Sequence, residues 1–171
     1  MILPPVRDPR MVTVRRGGTL ADDDHRLLAL WAAECAEHVL PLVETEVPGD
    51  ARPRAALAAV RGWARGEVRM MDSRAAGGHA MGAARPLRGA PRFAAYAAGQ
   101  AACVPHVAEH DLGAAAYALK AVVAAAPAGA GDRERLRELA WQRAHLPDEV
   151  RDLVLEDMVR RDELCWSLFS S

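Results

Sequence analysis

A long apolar stretch in the middle of the chain, residues 105–126, constrains the fold most strongly. Pro105 suits the first turn of a helix, where its missing N–H costs nothing, and no other proline occurs until Pro127. Lys120 is the only charged residue within residues 112–126. Because a helix that is apolar on nearly every side is usually buried, we predict a central helix over residues 105–126.

The composition favours helices packed through small side chains. Hydrophobic residues make up 51% of the 171 residues, whereas aromatic residues make up only 5%. Alanine, the commonest residue, is the strongest helix former and is depleted in strands. We therefore predict an all-α, single-domain bundle of about six to seven helices around the buried central helix. Residues 1–18 are predicted to form an extended N-terminal arm on this bundle, and residues 19–171 to form the helical domain.

Capping residues and prolines divide the helical domain into segments. Thr19 and Asp22 resemble a capping box that opens the first helix, and Pro41 should kink or end it. Asp132 is predicted to cap a later helix, whose buried side should contain Leu136, Leu139 and Ala140. The other predicted helices run from Pro53 to Gly66, from near Met70, over residues 91–104, and from Pro147.

Residues 77–91 are rich in glycine and proline, which interrupt helices. They include Gly77, Gly78 and Gly82, followed by Pro86 and further breakers. We interpret this segment as a glycine-rich loop with some helical turns. It is not a phosphate-binding loop, because no Lys-Ser/Thr pair follows the glycines.

The charges are nearly balanced over the whole chain but are unevenly distributed. The formal net charge is -1, which argues against nucleic acid or an anionic membrane as a direct partner. Residues 73–108 contain no acidic residue, whereas residues 148–163 contain seven acids and three arginines. The two segments either face each other, lie on solvated helix faces, or bind a charged partner. We found no membrane-spanning stretch and no signal peptide, and the three widely spaced cysteines indicate reduced thiols in the cytoplasm.

Four polar residues form two pairs at helical spacing. His106 and His110 are four residues apart on the predicted central helix, and Glu34 and His38 are four residues apart on the first helix. Each pair forms a polar stripe on its helix. If the two polar stripes meet in the fold, their side chains can bind a divalent metal ion or form a catalytic cluster. The alternative is that both imidazoles are buried, neutral and hydrogen-bonded to a carboxylate, Glu34 or Glu37, or to the backbone. The sequence contains no other metal or cofactor motif.

Lys120 is the other candidate for chemistry. A desolvated lysine has a lowered pKa and can serve as a base or as a Schiff-base nucleophile. Alternatively, its stem packs on the neighbouring alanines while the ammonium reaches the surface or pairs with an acid.

Three blocks of the sequence resemble a known family. The blocks are RGGTL at 16–20 with DHRLLALWAAECAEHVL at 24–40, then AGQA at 98–101 with LGAAAYALKA at 112–121, and finally WQxxxLP at 141–147 leading to Cys165 and Trp166. Together they resemble the immunity-protein-5-like family of bacterial immunity proteins, which is found mostly in actinobacteria. In that family, the region that corresponds to residues 77–91 is usually an uninterrupted alanine-rich helix.

The resemblance implies a role in a polymorphic toxin system. A member would bind a cognate protein toxin in the cytoplasm and neutralise it. The resemblance implies no catalytic residues in this sequence. Many such toxins attack nucleic acid and have basic clefts, so the expected contact surface is acidic. We expect this surface to include Glu149, Asp152 and Glu156.

Two other function classes stay open at the level of sequence. The first is a small all-helical enzyme that uses His106, His110, Glu34, His38 and Lys120, with or without a divalent metal ion. The second is a helical scaffold that forms a homo-oligomer through an alanine-rich face.

Overall fold

Eight α-helices account for most of the chain in the computed structural model, which describes residues 3–170. In chain order they are α1 (Asp22–Val39), α2 (Pro41–Glu46), α3 (Arg52–Ala64), α4 (Met70–Ala84), α5 (Gly89–Cys103), α6 (His110–Ala125), α7 (Gly131–Ala144) and α8 (Asp148–Arg160). Seven have at least 13 residues, and α2 is a six-residue segment directly after α1. Residues 3–170 contain no β-strand, so the all-α prediction is confirmed.

Helix α6 lies at the centre of the bundle, as its apolar sequence predicts. It packs against α1, α5 and α7, and Leu112 and Leu119 are completely buried. Most of its alanines are also buried, and they allow the neighbouring helices to approach closely. No helix within residues 3–170 is long and apolar enough to cross a membrane.

The central helix begins five residues later than predicted. Residues 104–109 form consecutive turns, in which the backbone N–H groups of His106 and Val107 both donate to the carbonyl oxygen of Cys103. The helix itself starts at His110. His106 therefore lies outside α6, and the prediction that His106 and His110 share one helical face is wrong.

Glycines at the α4–α5 contact explain why the loop prediction for residues 77–91 differs from the structure. Helix α4 runs without interruption to Ala84, so the predicted glycine-rich loop is wrong for its first eight residues. A Cβ on Gly77 would lie 2.7 Å from the carbonyl oxygen of Gly99, and a Cβ on Gly99 would lie 2.5 Å from Cγ of Met81. These residues are glycine because the two helices nearly touch, and only a four-residue connection separates α4 from α5.

Three prolines, Pro41, Pro53 and Pro147, mark helix boundaries as predicted. Helix α1 ends at Val39, and α2 starts at Pro41 in the first helical turn. Pro147 immediately precedes α8, and Pro53 lies in the first turn of α3. Each of these prolines occupies a site where a helical N–H would be unsatisfied.

The predicted side-chain caps are not formed. Helix α1 begins after Ala21 and has no side-chain cap, so Thr19 does not cap it. Helix α7 likewise begins after Ala130, and Asp132 lies inside its first turn. These acids can still favour the helix starts through the positive end of the helix dipole.

The buried face of α7 also differs from the prediction. Leu139 is buried as expected, but Leu136 and Ala140 are exposed. Their expected places are taken by the polar side chains of Glu138 and Gln142, which are buried. The reason is that this face of α7 makes hydrogen bonds to its neighbours.

The N-terminal arm is held on the bundle by an apolar side chain and a short backbone contact. Met11 is completely buried at the end of a short 3-10 turn, Pro9–Met11, and a second 3-10 turn follows at Val14–Arg16. A single β-bridge joins Thr13 to Leu20. The arm thus folds back on itself before α1 begins.

The C-terminal tail docks on the bundle through its apolar residues. Cys165 and Phe169 are buried, and the Arg143 guanidinium donates to the carbonyl oxygen of Phe169 at 2.8 Å. Cys35 and Cys103 are also buried, and all three thiols are free.

Candidate functional site

The two predicted polar stripes do not meet in the fold. Nδ1 of His38 lies 2.8 Å from a carboxylate oxygen of Glu138 on α7. Nδ1 of His110 instead lies 2.7 Å from Oε1 of Gln100 on α5. The expected pairing of the His110 imidazole with Glu34 or Glu37 is therefore wrong.

The remaining members of the predicted cluster are also dispersed. Glu34 is exposed on α1, and Glu37 forms an ion pair with Arg61 at 2.6 Å. Within residues 3–170, no group of three or more histidine, cysteine, aspartate or glutamate side chains is placed to hold a metal ion. The arrangement thus offers no common centre for the enzyme alternative.

Lys120 makes aromatic contacts instead of pairing with an acid. Its Nζ lies 3.9 Å from the ring centre of Trp166 and 4.8 Å from that of Phe93. Burial lowers the pKa of Lys120 below its ordinary value. These cation–π contacts stabilise the docked tail, and Trp166 adopts a left-handed backbone conformation with φ of 61°.

A buried charge network was missed by the sequence analysis. The Arg161 guanidinium donates to the Asp157 carboxylate at 2.8 Å and lies 3.7 Å from Asp111. All three side chains are at most 2% exposed. Complete burial, followed by the nearby Asp157 carboxylate, raises the pKa of Asp111 well above its ordinary value. The i,i+4 spacing of Asp157 and Arg161 was the one available sequence signal.

The same network reaches the N-terminal arm. Glu109 is buried, and its carboxylate accepts hydrogen bonds from the Arg7 guanidinium at 2.8 and 2.5 Å. The Glu109 carbonyl oxygen accepts from Arg161 at 2.7 Å. The buried Glu109 thereby joins the arm, through its ion pair with Arg7, to the end of α8, through its hydrogen bond with Arg161.

The predicted acidic surface is exposed on α8. Glu149, Asp152 and Glu156 face solvent at a spacing of three and four residues, so they form one stripe along the helix, here called the acidic stripe. Glu156 forms an ion pair with Arg10 at 2.6 Å, whereas neither Glu149 nor Asp152 forms one within residues 3–170. Two of the three carboxylates are therefore uncompensated.

An exposed apolar side chain continues this stripe. Val159, three residues beyond Glu156, is 81% exposed. The opposite side of α8 is anchored, because Val150, Val154 and Met158 are buried. A rigid helix thus presents carboxylates next to one uncovered apolar group, which is a combination suited to contact with another protein.

The arginine-rich segment does not neutralise the acidic stripe. Arg74, Arg85 and Arg88 are exposed, and within residues 3–170 none of them forms an ion pair with α8. Arg92 instead lies against Tyr96, whose hydroxyl it approaches at 3.3 Å. The arginine-rich segment 73–108 and the acidic segment 148–163 therefore do not pair directly, which was one of the arrangements predicted from the sequence.

Comparison with known proteins identifies the family. A family model described as "Imm-5 like putative immunity protein" matches residues 18–149, which is more than three quarters of the chain. The chain belongs to this Imm-5 like family. Neither a search of the curated proteins nor a search of the solved structures gave a match.

The family match extends from the end of the arm to the first turn of α8. In this Imm-5 like protein, it covers the central helix and the helices around it. Glu149 is the last matched residue, and Asp152 and Glu156 lie beyond the match. A surface that selects one partner need not be shared by every member of a family.

Proposed function

We propose that this Imm-5 like protein binds a cognate protein toxin of a polymorphic toxin system and neutralises it in the cytoplasm of the producing cell or its siblings. The family match over residues 18–149 carries this proposal. The helical bundle and the exposed acidic stripe on α8 are compatible with this role.

The acidic stripe is the surface that we assign to the toxin. Its support is the two uncompensated carboxylates of Glu149 and Asp152 together with the exposed Val159. The carboxylates would steer a basic toxin toward α8, and Val159 would be covered by an apolar part of the toxin. Interfaces commonly combine a desolvated apolar centre with a polar rim.

Local charge matters more here than net charge. The whole chain has a net charge of -1, so attraction at long range is weak. Complementary charges at the contact surface nevertheless raise the association rate and exclude partners of the wrong sign. A toxin with a basic, nucleic-acid-binding cleft has the complementary charge.

Co-expression with the product of the adjacent reading frame tests the function. Cells that express the toxin alone should stop growing, and cells that also express this protein should grow. The two chains should co-purify as a complex. A toxin of an unrelated system is the control, and it should be neither bound nor neutralised. Continued growth arrest in the presence of the folded protein would contradict the proposal.

A further inference from the structure

A second surface feature shares no residue with the acidic stripe. The N-terminal arm and the turn before α6 enclose a cleft of about 480 Å³, which Trp63 of α3 also lines. The arm contributes Arg7, Arg15 and Arg16, and the turn contributes His106. We call this feature the arginine cleft. Its volume is in the range of sites that bind small molecules.

The cleft has an excess of positive charge. Arg7 is paired with Glu109, and Arg15 is paired with Asp22 at 3.0 Å. Arg16, by contrast, donates to the carbonyl oxygen of His106 at 3.0 Å and forms no ion pair within residues 3–170. No aspartate or glutamate of the described chain lines the cleft. The Arg16 guanidinium therefore keeps most of its five N–H donors for a ligand.

His106 is exposed to this positive charge. Its imidazole is half-buried, and burial is the largest cause of its lowered pKa. The charges of Arg74, Arg16 and Arg7 lower the pKa further. A negative group in the cleft would offset these charges and would raise the pKa of His106.

The lining of the cleft also has an apolar part. It contains Trp63, Met70 and Pro105. The Trp63 ring is held edge-to-face against His25, with ring centres 4.9 Å apart, and His25 is itself fixed by a hydrogen bond of 2.8 Å to the Val104 carbonyl oxygen. A fixed aromatic surface suits a planar ring of a ligand.

We propose that the arginine cleft binds a small phosphorylated molecule, with its phosphate on Arg16 and a planar ring against Trp63. Guanidinium groups bind phosphate oxygens through paired, charge-assisted hydrogen bonds. This site goes beyond toxin binding, because it shares no residue with the acidic stripe. Loss of the cleft would leave the toxin-binding proposal unaffected.

Calorimetric titration of the full-length protein tests the cleft with AMP as the probe. Adenosine, which lacks the phosphate, measures the contribution of the contact between the phosphate and Arg16. Inorganic phosphate, which lacks the ring, measures the contribution of the contact between the ring and Trp63. AMP should bind more tightly than either probe, by about tenfold or more, since each lacks one of the two contacts. The pKa of His106, followed by NMR of its ring proton, should rise when AMP is bound.

Two matched variants locate the site. Arg16→Gln should weaken AMP binding by about tenfold, and Arg88→Gln, which removes another exposed arginine that lies outside the cleft, should leave it unchanged. Equal losses in both variants would overturn the proposal. It would also be overturned by equal affinities for AMP and adenosine, by equal affinities for AMP and inorganic phosphate, or by no binding at millimolar AMP. Circular dichroism of both variants verifies that they are folded.

Discussion

The buried guanidinium of Arg161 donates a hydrogen bond of 2.7 Å to the carbonyl oxygen of Glu109, across 52 positions of the chain. This bond joins the end of α8 to the turn that precedes the central helix. Glu109 in turn binds Arg7, so a single network positions the arm, the central helix and the proposed contact helix. The stability of the fold should depend strongly on Arg161.

Replacement of Arg161 should therefore be costly. We expect Arg161→Met to lower the free energy of unfolding by about 3–5 kcal/mol, because it removes the buried guanidinium that compensates the buried carboxylates of Asp111 and Asp157. Urea denaturation measures the change. Arg65→Gln is the control: its ion pair with Glu67 is exposed, so the loss should be within about 0.5 kcal/mol. Comparable losses in both variants would contradict the assigned role of Arg161.

Two adjacent glycines of α4 should respond oppositely to alanine. A Cβ on Gly77 would lie 2.9 Å from Sγ of Cys103 and even closer to the α5 backbone, whereas a Cβ on Gly78 meets nothing within 4 Å. We expect Gly77→Ala to destabilise by about 1–3 kcal/mol through overpacking. Gly78→Ala should stabilise by about 0.5–1 kcal/mol, because alanine favours the helix. The same urea experiment compares them, and an unaffected Gly77→Ala would contradict the close α4–α5 contact.

The His110 imidazole should make the fold sensitive to acid. Burial lowers the pKa of His110 from 6.5 to about 4. As the pH falls, the His110 imidazole is therefore protonated in the unfolded chain before it is protonated in the folded protein. The contribution of His110 to stability is fully present above pH 6.5 and is lost as the pH falls toward 4. The loss should approach about 1.4 kcal/mol per pH unit within this window.

His110→Ala isolates this contribution. At pH 7 the variant should be less stable by about 1–3 kcal/mol, because the Gln100 side chain loses its partner. The difference from the wild-type protein should shrink as the pH falls from 6.5 to 4. Denaturation at several pH values measures it. A difference that stays constant over this range would show that His110 does not titrate as described.

The sequence predicted the helical fold well because most helix signals are local. Pro41, Pro53 and Pro147 mark helix boundaries, and the apolar sequence of α6 indicates a central helix. The glycines of α4 were misread because Gly77 looks like a helix breaker until its neighbour Gly99 on α5 is known. That contact joins residues of different helices, and no local pattern reveals it.

The candidate site was predicted less well. The exposure of the acidic stripe could be predicted because its three carboxylates are spaced by three and four residues, which places them on one face of a helix. The buried network was missed, since Arg7 and Glu109 are 102 positions apart. The proposed cluster failed because the chain makes turns between Pro105 and His110, where no residue signals an end to the helix.

Val159 should contribute to toxin binding without contributing to folding. Because its side chain is 81% exposed, Val159→Ser should change the free energy of unfolding by less than about 0.5 kcal/mol. If the toxin covers it, the dissociation rate of the complex should rise by about tenfold. Surface plasmon resonance measures this rate. Val14→Ser, at a 64% exposed position of the arm, is the control and should leave the rate unchanged.

The most direct measurement of the central claim is the association rate of this protein with its toxin as a function of salt. Combined reversal of Glu149, Asp152 and Glu156 to lysine should slow association by about tenfold or more at low salt and flatten the salt dependence. Reversal of the exposed Glu34, Glu46 and Glu67 changes the net charge equally and should have a much smaller effect. Unchanged kinetics in the first variant, or equal slowing in both, would contradict the assignment of the acidic stripe to the toxin.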